Sequence, residues 1–154
     1  MMRYFMGNNT KLALEFYIQK ALNKLYKNDE YLIKIYSDKY NEDNHVSERG
    51  IVFRFGVYLE KYRLKYFPQY DLDVEYNRNI NLIKMLNSKP IMPDLIIHKR
   101  GTNGNNLLVL EFKTWWNKNQ IEDIKRVKLF KNELNYKYGA TILIDKEHYK
   151  ICWI

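Results

Sequence analysis

The chain has 154 residues, and its 26 Lys and Arg against 18 Asp and Glu give a net charge of +8. This balance either suits a polyanionic partner or reflects the Asn-, Ile-, Lys- and Tyr-rich usage of AT-rich genomes. That length supports one domain with a core that needs no staples; the single cysteine, Cys152, excludes a disulfide framework and a cysteine-based zinc site.

The opening MMRYFMGNNTK is too short and broken for a signal peptide, and the apolar runs fall short of a membrane span, so a cytoplasmic protein is expected. A first helix is expected over residues 10–27, where Leu14, Tyr17, Ile18, Ala21, Leu22 and Leu25 repeat at three- and four-residue spacing. Asn8, Asn9 and Thr10 offer N-caps. The stripe holds no ionisable residue, which points to packing or a dimer surface. Residues 28–46 are polar and irregular apart from Tyr31–Tyr36; Asp38–Asn44 is a loop by composition, and His45 an ordinary surface or capping residue.

A second helix opens with Ser47 as N-cap and runs to Tyr66, its stripe formed by Ile51, Val52, Phe55, Tyr58, Leu59 and Tyr62. Glu48, one turn back, lies on the core-facing side, where the helix dipole also favours an acid. Arg49 and Arg54 fit either phosphate contact or solvated charge. After Pro68, residues 71–78 alternate as a strand, with Asp73, Glu75 and Asn77 on one face and Leu72, Val74 and Tyr76 on the other. If the polar face turns to a cleft, Glu75 is placed to support a metal or an attacking water. Residues 79–92, with Lys84, Lys89 and Pro90, are expected as an exposed connection.

Two strands follow, over 93–100 and 107–115, joined by Gly101-Thr102-Asn103-Gly104-Asn105-Asn106, whose residue types favour a tight reversal. Antiparallel partners sum to a constant. Pairing 94 with 111 puts the mirror point between residues 102 and 103, inside the turn. Asp94 and Glu111 are then expected within about 4.5–5.5 Å of each other at Cβ, with Lys113 on the same face by the period of two. Opposed carboxylates repel, so a cation belongs between them. A hard divalent metal takes oxygen ligands of this kind; the alternative is a solvated hairpin in which Lys113 offsets two surface acids. The apolar strands that these acids interrupt argue for burial. His98 shares the face of Asp94, either in the cleft or as a satisfied core or rim histidine.

Asn117 or Asn119 caps a third helix expected to reach Tyr138, with Ile124, Val127, Phe130 and Leu134 buried and Ile121 at the margin. Lys118, Lys125, Arg126, Lys128 and Lys131 make it strongly basic, either as a solvated face or as a grip on phosphates. Gly139 reads as the helix stop, and strands over 140–145 and 149–154 close the chain around an Asp145–His148 turn.

Pro93-Asp94, a spacer and Glu111-Phe112-Lys113 resemble the motif of the PD-(D/E)XK nuclease superfamily, the restriction-endonuclease-like phosphodiesterases. The stretches Ser47–Glu60 and Asp73–Arg78 also look like small bacterial members of it, so the resemblance spans Ser47 to near the C-terminus. It implies one domain over 1–154, with residues 1–46 a helical extension and 47–154 an α/β core (an α+β mixed sheet) of order αβββαβ, plus a C-terminal strand. It also implies a metal-dependent nuclease acting on nucleic acid, DNA foremost. Asp94 and Glu111 would hold Mg²⁺ or Mn²⁺ together with the backbone carbonyl of Phe112. Glu48 would complete the site, and Lys113 would orient a water or stabilise developing charge. Lys118, Lys125 and Lys128 are the candidate nucleic-acid contacts. Specificity would come from loops, from a homodimer or from a partner protein. The competing reading is a catalytically silent subunit that uses the same fold to bind or assemble.

Overall fold

The computed structural model of the chain describes residues 2–34, 47–79, 82–86 and 88–154; the loop expected over Asp38–Asn44, Ile35 and Tyr36 of the apolar patch, and His45 lie outside the described residues. In chain order come α1 (Met2–Asn28), the single turn α2 (Glu30–Ile33), α3 (Glu48–Tyr66) and β1 (Asp71–Val74). Two short ladders follow, β2 (Arg78–Asn79) with β3 (Leu82–Ile83) and β4 (Met85–Leu86) with β5 (Lys89–Pro90). The remaining elements are β6 (Leu95–His98), β7 (Leu108–Thr114), α4 (Ile121–Leu134), β8 (Tyr138–Ile144) and β9 (Tyr149–Trp153). Five strands form one mixed sheet in the order β1-β6-β7-β8-β9, with β7 and β8 parallel and the other pairs antiparallel. The only route between the parallel neighbours is the α4 crossover, as parallel pairing requires.

Side-chain alternation divides the sheet into two apolar layers. Leu95, Ile97, Leu108, Leu110 and Phe112 face α1 and α3, joining Leu14, Ile18, Leu22, Ile51, Phe55 and Leu59 in the larger core. The rings of Phe55 and Phe112 meet edge to face at 5.2 Å. Ile96 and Val109 face the other way, against Val127, Phe130 and Leu134 of α4. α3 is fastened to both ends of its run: Arg54 Nε reaches Asp29 at 2.9 Å, and the buried Arg63 binds Glu60 and donates to the Tyr70 carbonyl at 2.6 Å. Arg54, read from the sequence as phosphate contact or solvated charge, is instead ion-paired within the protein.

Several expected boundaries move. Asn8, Asn9 and Thr10 are not caps, because α1 is already helical from Met2. α4 stops at Leu134 and not at Tyr138; Asn135 adopts the left-handed conformation at φ 56° and closes the helix. Gly139 is therefore no helix stop but a residue of β8 lying under α4. A Cβ there would run into Val127 Cγ1 and stand 3.3 Å from both Lys131 Cδ and Val109 Cγ1, so glycine sets how closely the helix approaches the sheet. The stripe of α4 runs through Asp123, Val127, Phe130 and Leu134, which leaves Ile124 half-buried and Ile121 exposed.

Residues 79–92 are not a plain exposed connection. Lys84 is buried, its backbone joins Asn77 and Ile91, and its Nζ donates to Tyr136 Oη at 3.0 Å between the rings of Tyr76 and Tyr136. Burial lowers the Lys84 ammonium to about 8. Tyr76 also departs from the face of Leu72 and Val74: Glu75 takes a positive φ of 51°, which breaks the alternation and turns Tyr76 onto the α4 side. No helix among the described residues is long and apolar enough to cross a membrane.

Gly139→Ala is expected to lower the urea midpoint by an amount equivalent to about 1–3 kcal/mol of overpacking, and Val127→Ala introduced alongside it should recover part of that loss. For Lys84 the charged form is the one disfavoured in the folded state, so stability rises with pH from about 8 toward the ordinary lysine value, about 10.4 in the unfolded chain. Compared with Lys84→Met, the wild type should accordingly gain ground between pH 7 and 10 in chemical denaturation.

Candidate active site

The β6–β7 ladder pairs Leu95 with Leu110, Ile96 with Val109 and Ile97 with Leu108. All three pairs share the sum expected from the numbering, so Asp94 and Glu111 occupy the next rung. β6 begins at Leu95, and beyond that rung the Phe112 N–H has no strand to bond; Asp94 Oδ2 accepts it at 2.7 Å instead. The N–H and C=O of a strand residue point to the same neighbour, so the Phe112 carbonyl faces the same gap. Val109, Glu111 and Lys113 alternate onto the α4 side, as do Asp94 and Ile96. The two acids and the lysine therefore share one side of the sheet.

α4 covers them with Asp123, which the sequence reading did not select, and with Arg126, read there only as one of the helix's basic residues. Asp123, buried in the first turn, places Oδ2 3.3 Å from Lys113 Nζ. Arg126 places a guanidinium nitrogen 3.3 Å from Glu111 Oε1 and donates to the Met92 carbonyl at 2.7 Å. Asp123 had a signal, since it stands four residues before Val127 on the buried stripe; an acid in a first turn is ordinarily assigned to the dipole. Glu48 comes from the opposite layer, around the end of β7, with Oε2 3.4 Å from Thr114 Oγ1.

Glu111 is 1% exposed, and neither carboxylate oxygen has a hydrogen-bond partner. Burial and then the charge of Asp94 hold its carboxyl well above the ordinary range, against the opposing pull of Arg126. Burial also raises Asp94, and burial followed by the Asp94 charge raises Glu48. Four carboxyl groups (Glu48, Asp94, Glu111, Asp123) thus meet two cations, Lys113 and Arg126. With all four ionised, the arrangement is short of positive charge by two, the charge of a divalent ion. Buried oxygens without donors, with a backbone carbonyl facing the same gap, form a donor set that fits a hard cation. Among the described residues no group of three or more His, Cys, Asp or Glu side chains could hold a metal ion, so any such ion would depend on two acids and that carbonyl.

A cleft of about 720 Å³ opens beside the acids, walled by Glu48, Arg49, Glu75, Asp94, Glu122 and Arg126, with Lys89–Met92 as one lip. Glu111 lies below its floor. Glu75 does turn toward this cleft, where Oε1 binds Arg49 Nε at 2.7 Å. A left-handed backbone at a residue other than glycine costs about 1–3 kcal/mol and collects at functional sites. His98 is a satisfied core histidine, 2.8 Å from Asp73 Oδ2 and edge-on to Tyr76. Burial alone would raise the Asp73 carboxyl, but hydrogen bonds from His98 and Arg100 outweigh it and lower the value. The cations at the cleft are Arg49, Lys89 and Arg126. Lys118 instead binds Asp145 at 2.9 Å, Lys125 binds Glu122 at 2.8 Å, and Lys128 is exposed without lining the cleft.

No family model, curated protein or solved structure matches the chain.

The Glu111 carboxyl, raised on folding, binds its proton more tightly in the folded chain than in the unfolded one, so its contribution to stability falls as pH rises through and above the ordinary carboxylate range. Without divalent cations, Glu111→Gln should melt above the wild type at pH 7, by about 2–4 °C per kcal/mol relieved, and that gap should narrow as the pH is brought to 5. Scanning calorimetry at both values reads this directly.

Proposed function

We propose that the chain is a metal-dependent phosphodiesterase of the restriction-endonuclease-like kind, hydrolysing nucleic acid with DNA as the favoured substrate. The observation that carries this reading is Glu111, buried opposite Asp94 with no close hydrogen bond to either oxygen, in a cluster that lacks two positive charges when its four carboxyls are ionised. The element order α3-β1-β6-β7-α4-β8 is compatible with the αβββαβ core that the motif implies.

Asp94, Glu111 and the Phe112 carbonyl would hold Mg²⁺ or Mn²⁺, with Glu48 at the margin. When bound, such an ion supplies a Lewis acid that lowers the pKa of water and offsets charge on phosphoryl oxygens. The chain's own groups do the rest. Asp94 is fixed by the Phe112 N–H, so its second oxygen is presented in one orientation. Lys113, drawn toward Asp123, holds an ammonium on the same side as the acids, where it orients a water or meets developing negative charge. Arg49 and Arg126 at the cleft wall are placed to receive flanking phosphates.

A second reading has its own observation. Arg126 already faces Glu111, and Lys113 already faces Asp123, so each central charge has a partner within the protein. A nuclease-fold subunit that binds or assembles without cleaving would keep these pairs. Isothermal titration with Mn²⁺ and a cleavage assay on labelled DNA separate the two. The hydrolase should take up the ion and cut; Glu111→Ala should abolish both, and Lys113→Ala should slow cutting by about 10²–10³ while leaving ion uptake in place. Absence of heat, of cleavage and of any Mn²⁺-dependent rise in melting temperature would leave the subunit reading.

A further inference from the structure

The positive charge of this protein is not concentrated at the cleft. Ten of the 26 Lys and Arg but only three of the 18 Asp and Glu lie on α1 and α3, so these two helices carry seven of the eight net positive charges. At their seam, far from Glu48, aromatic rings come to the surface. Tyr17 is stacked between Tyr62 at 5.1 Å and Tyr66 at 4.4 Å, with Phe16 edge-on at 5.3 Å. Phe16 is 52% exposed and Tyr66 45%, flanked by the exposed Leu12 and Leu64. Each outer ring carries an ammonium: Lys20 over Phe16, Lys24 over Tyr62 and Lys65 over Tyr66, all within 5.3 Å of the ring centroid. Beside Tyr66 is a hollow of about 360 Å³, floored by Ala13, Tyr17 and Phe67.

We propose that this α1–α3 seam is a second binding surface, taking single-stranded nucleic acid with a base stacked on Tyr66 and phosphates on Lys20, Lys24 and Lys65. Stacking rings alternating with cations are what an unpaired strand requires, because every base has a π-face and every linkage a charge. Charge decides against a second copy of the chain as the occupant. A two-fold contact sets a patch against itself, which would bring the three lysines of one copy onto those of the other. Since α3 rises about 1.5 Å per residue, its 19 residues separate Tyr66 from the Glu48 end by roughly 27 Å. The seam is thus a site apart from the cleft, and it stands whether or not the cleft cleaves.

Fluorescence anisotropy tests this, with a labelled oligothymidine of about 20 nucleotides, longer than a single stacking site needs, in EDTA. Tyr66→Ala should weaken binding about 5- to 150-fold, the equivalent of one lost stack, whereas Tyr66→Trp should bind as the wild type does. Lys20→Ala with Lys24→Ala should flatten the slope of log affinity against log salt by about 0.7 per lysine. Lys150→Ala, an exposed lysine on β9, should leave the affinity unchanged. Wild-type affinity and slope in both the Tyr66→Ala and the lysine variants would overturn the proposal. So would loss of binding in Arg49→Ala but not in Tyr66→Ala, which would place the strand in the cleft. A concentration-dependent dimer in sedimentation, dissolved by Phe16→Ala with oligonucleotide binding intact, would assign the seam to a second copy and overturn it too. Should Tyr66→Ala fail to fold, Lys20→Glu with Lys65→Glu, both exposed changes, decides the matter by the same readouts.

Discussion

One buried carboxylate constrains the rest of this structure. Glu111 sits in the middle of the sheet, between apolar neighbours Leu110 and Phe112, with neither oxygen hydrogen-bonded. Leaving a charge so placed without a partner is costly. The surrounding elements respond to it: α4 delivers a guanidinium, and β6 begins one rung late so that Asp94 turns its side chain to the backbone of β7. A protein selected for stability alone would place a methylene chain at this position. A buried ionisable group with a specific charged partner makes a functional-site candidate, and it is the basis of the proposed hydrolase.

The scaffold that holds this site is asymmetric. The α1–α3 layer fills the larger core, whereas α4 packs on the other face together with Tyr76 and Tyr136. Between them the sheet presents Ile96 and Val109 to α4, and Leu95, Ile97, Leu108, Leu110 and Phe112 to α3. Gly139 lets α4 sit closely on the sheet, and the first two turns of the same helix lie within ion-pair range of Lys113 and Glu111. Packing and charge therefore meet on the same helix.

The hairpin was legible in the sequence because its two signals are arithmetic: a period of two along each strand and a constant sum across them. Those rules place Asp94, Glu111 and Lys113 on one side without any knowledge of the neighbouring helices. What the sequence withheld depends on partners distant along the chain or on backbone states that residue type does not signal. Lys84 lies in a polar stretch, and only Tyr136, 52 residues away, makes its burial tolerable. Glu75 bears no mark of a left-handed φ, so the turn of Tyr76 to the other face could not be foreseen. Gly139 carried a true signal attached to the wrong cause, because glycine serves a helix end and a close approach equally well, and Asn135 had taken the first of those tasks. Asp123 reads as an ordinary first-turn acid until β7 is laid beneath it.

The two residues that α4 contributes are three apart on one rigid helix, and they bear opposite signs. Any tilt or lift of that helix withdraws an anion and a cation together, leaving the electrical deficit of the remaining groups where it was. The net valence of the cluster is therefore indifferent to how closely that roof is seated, because its anion and its cation cancel.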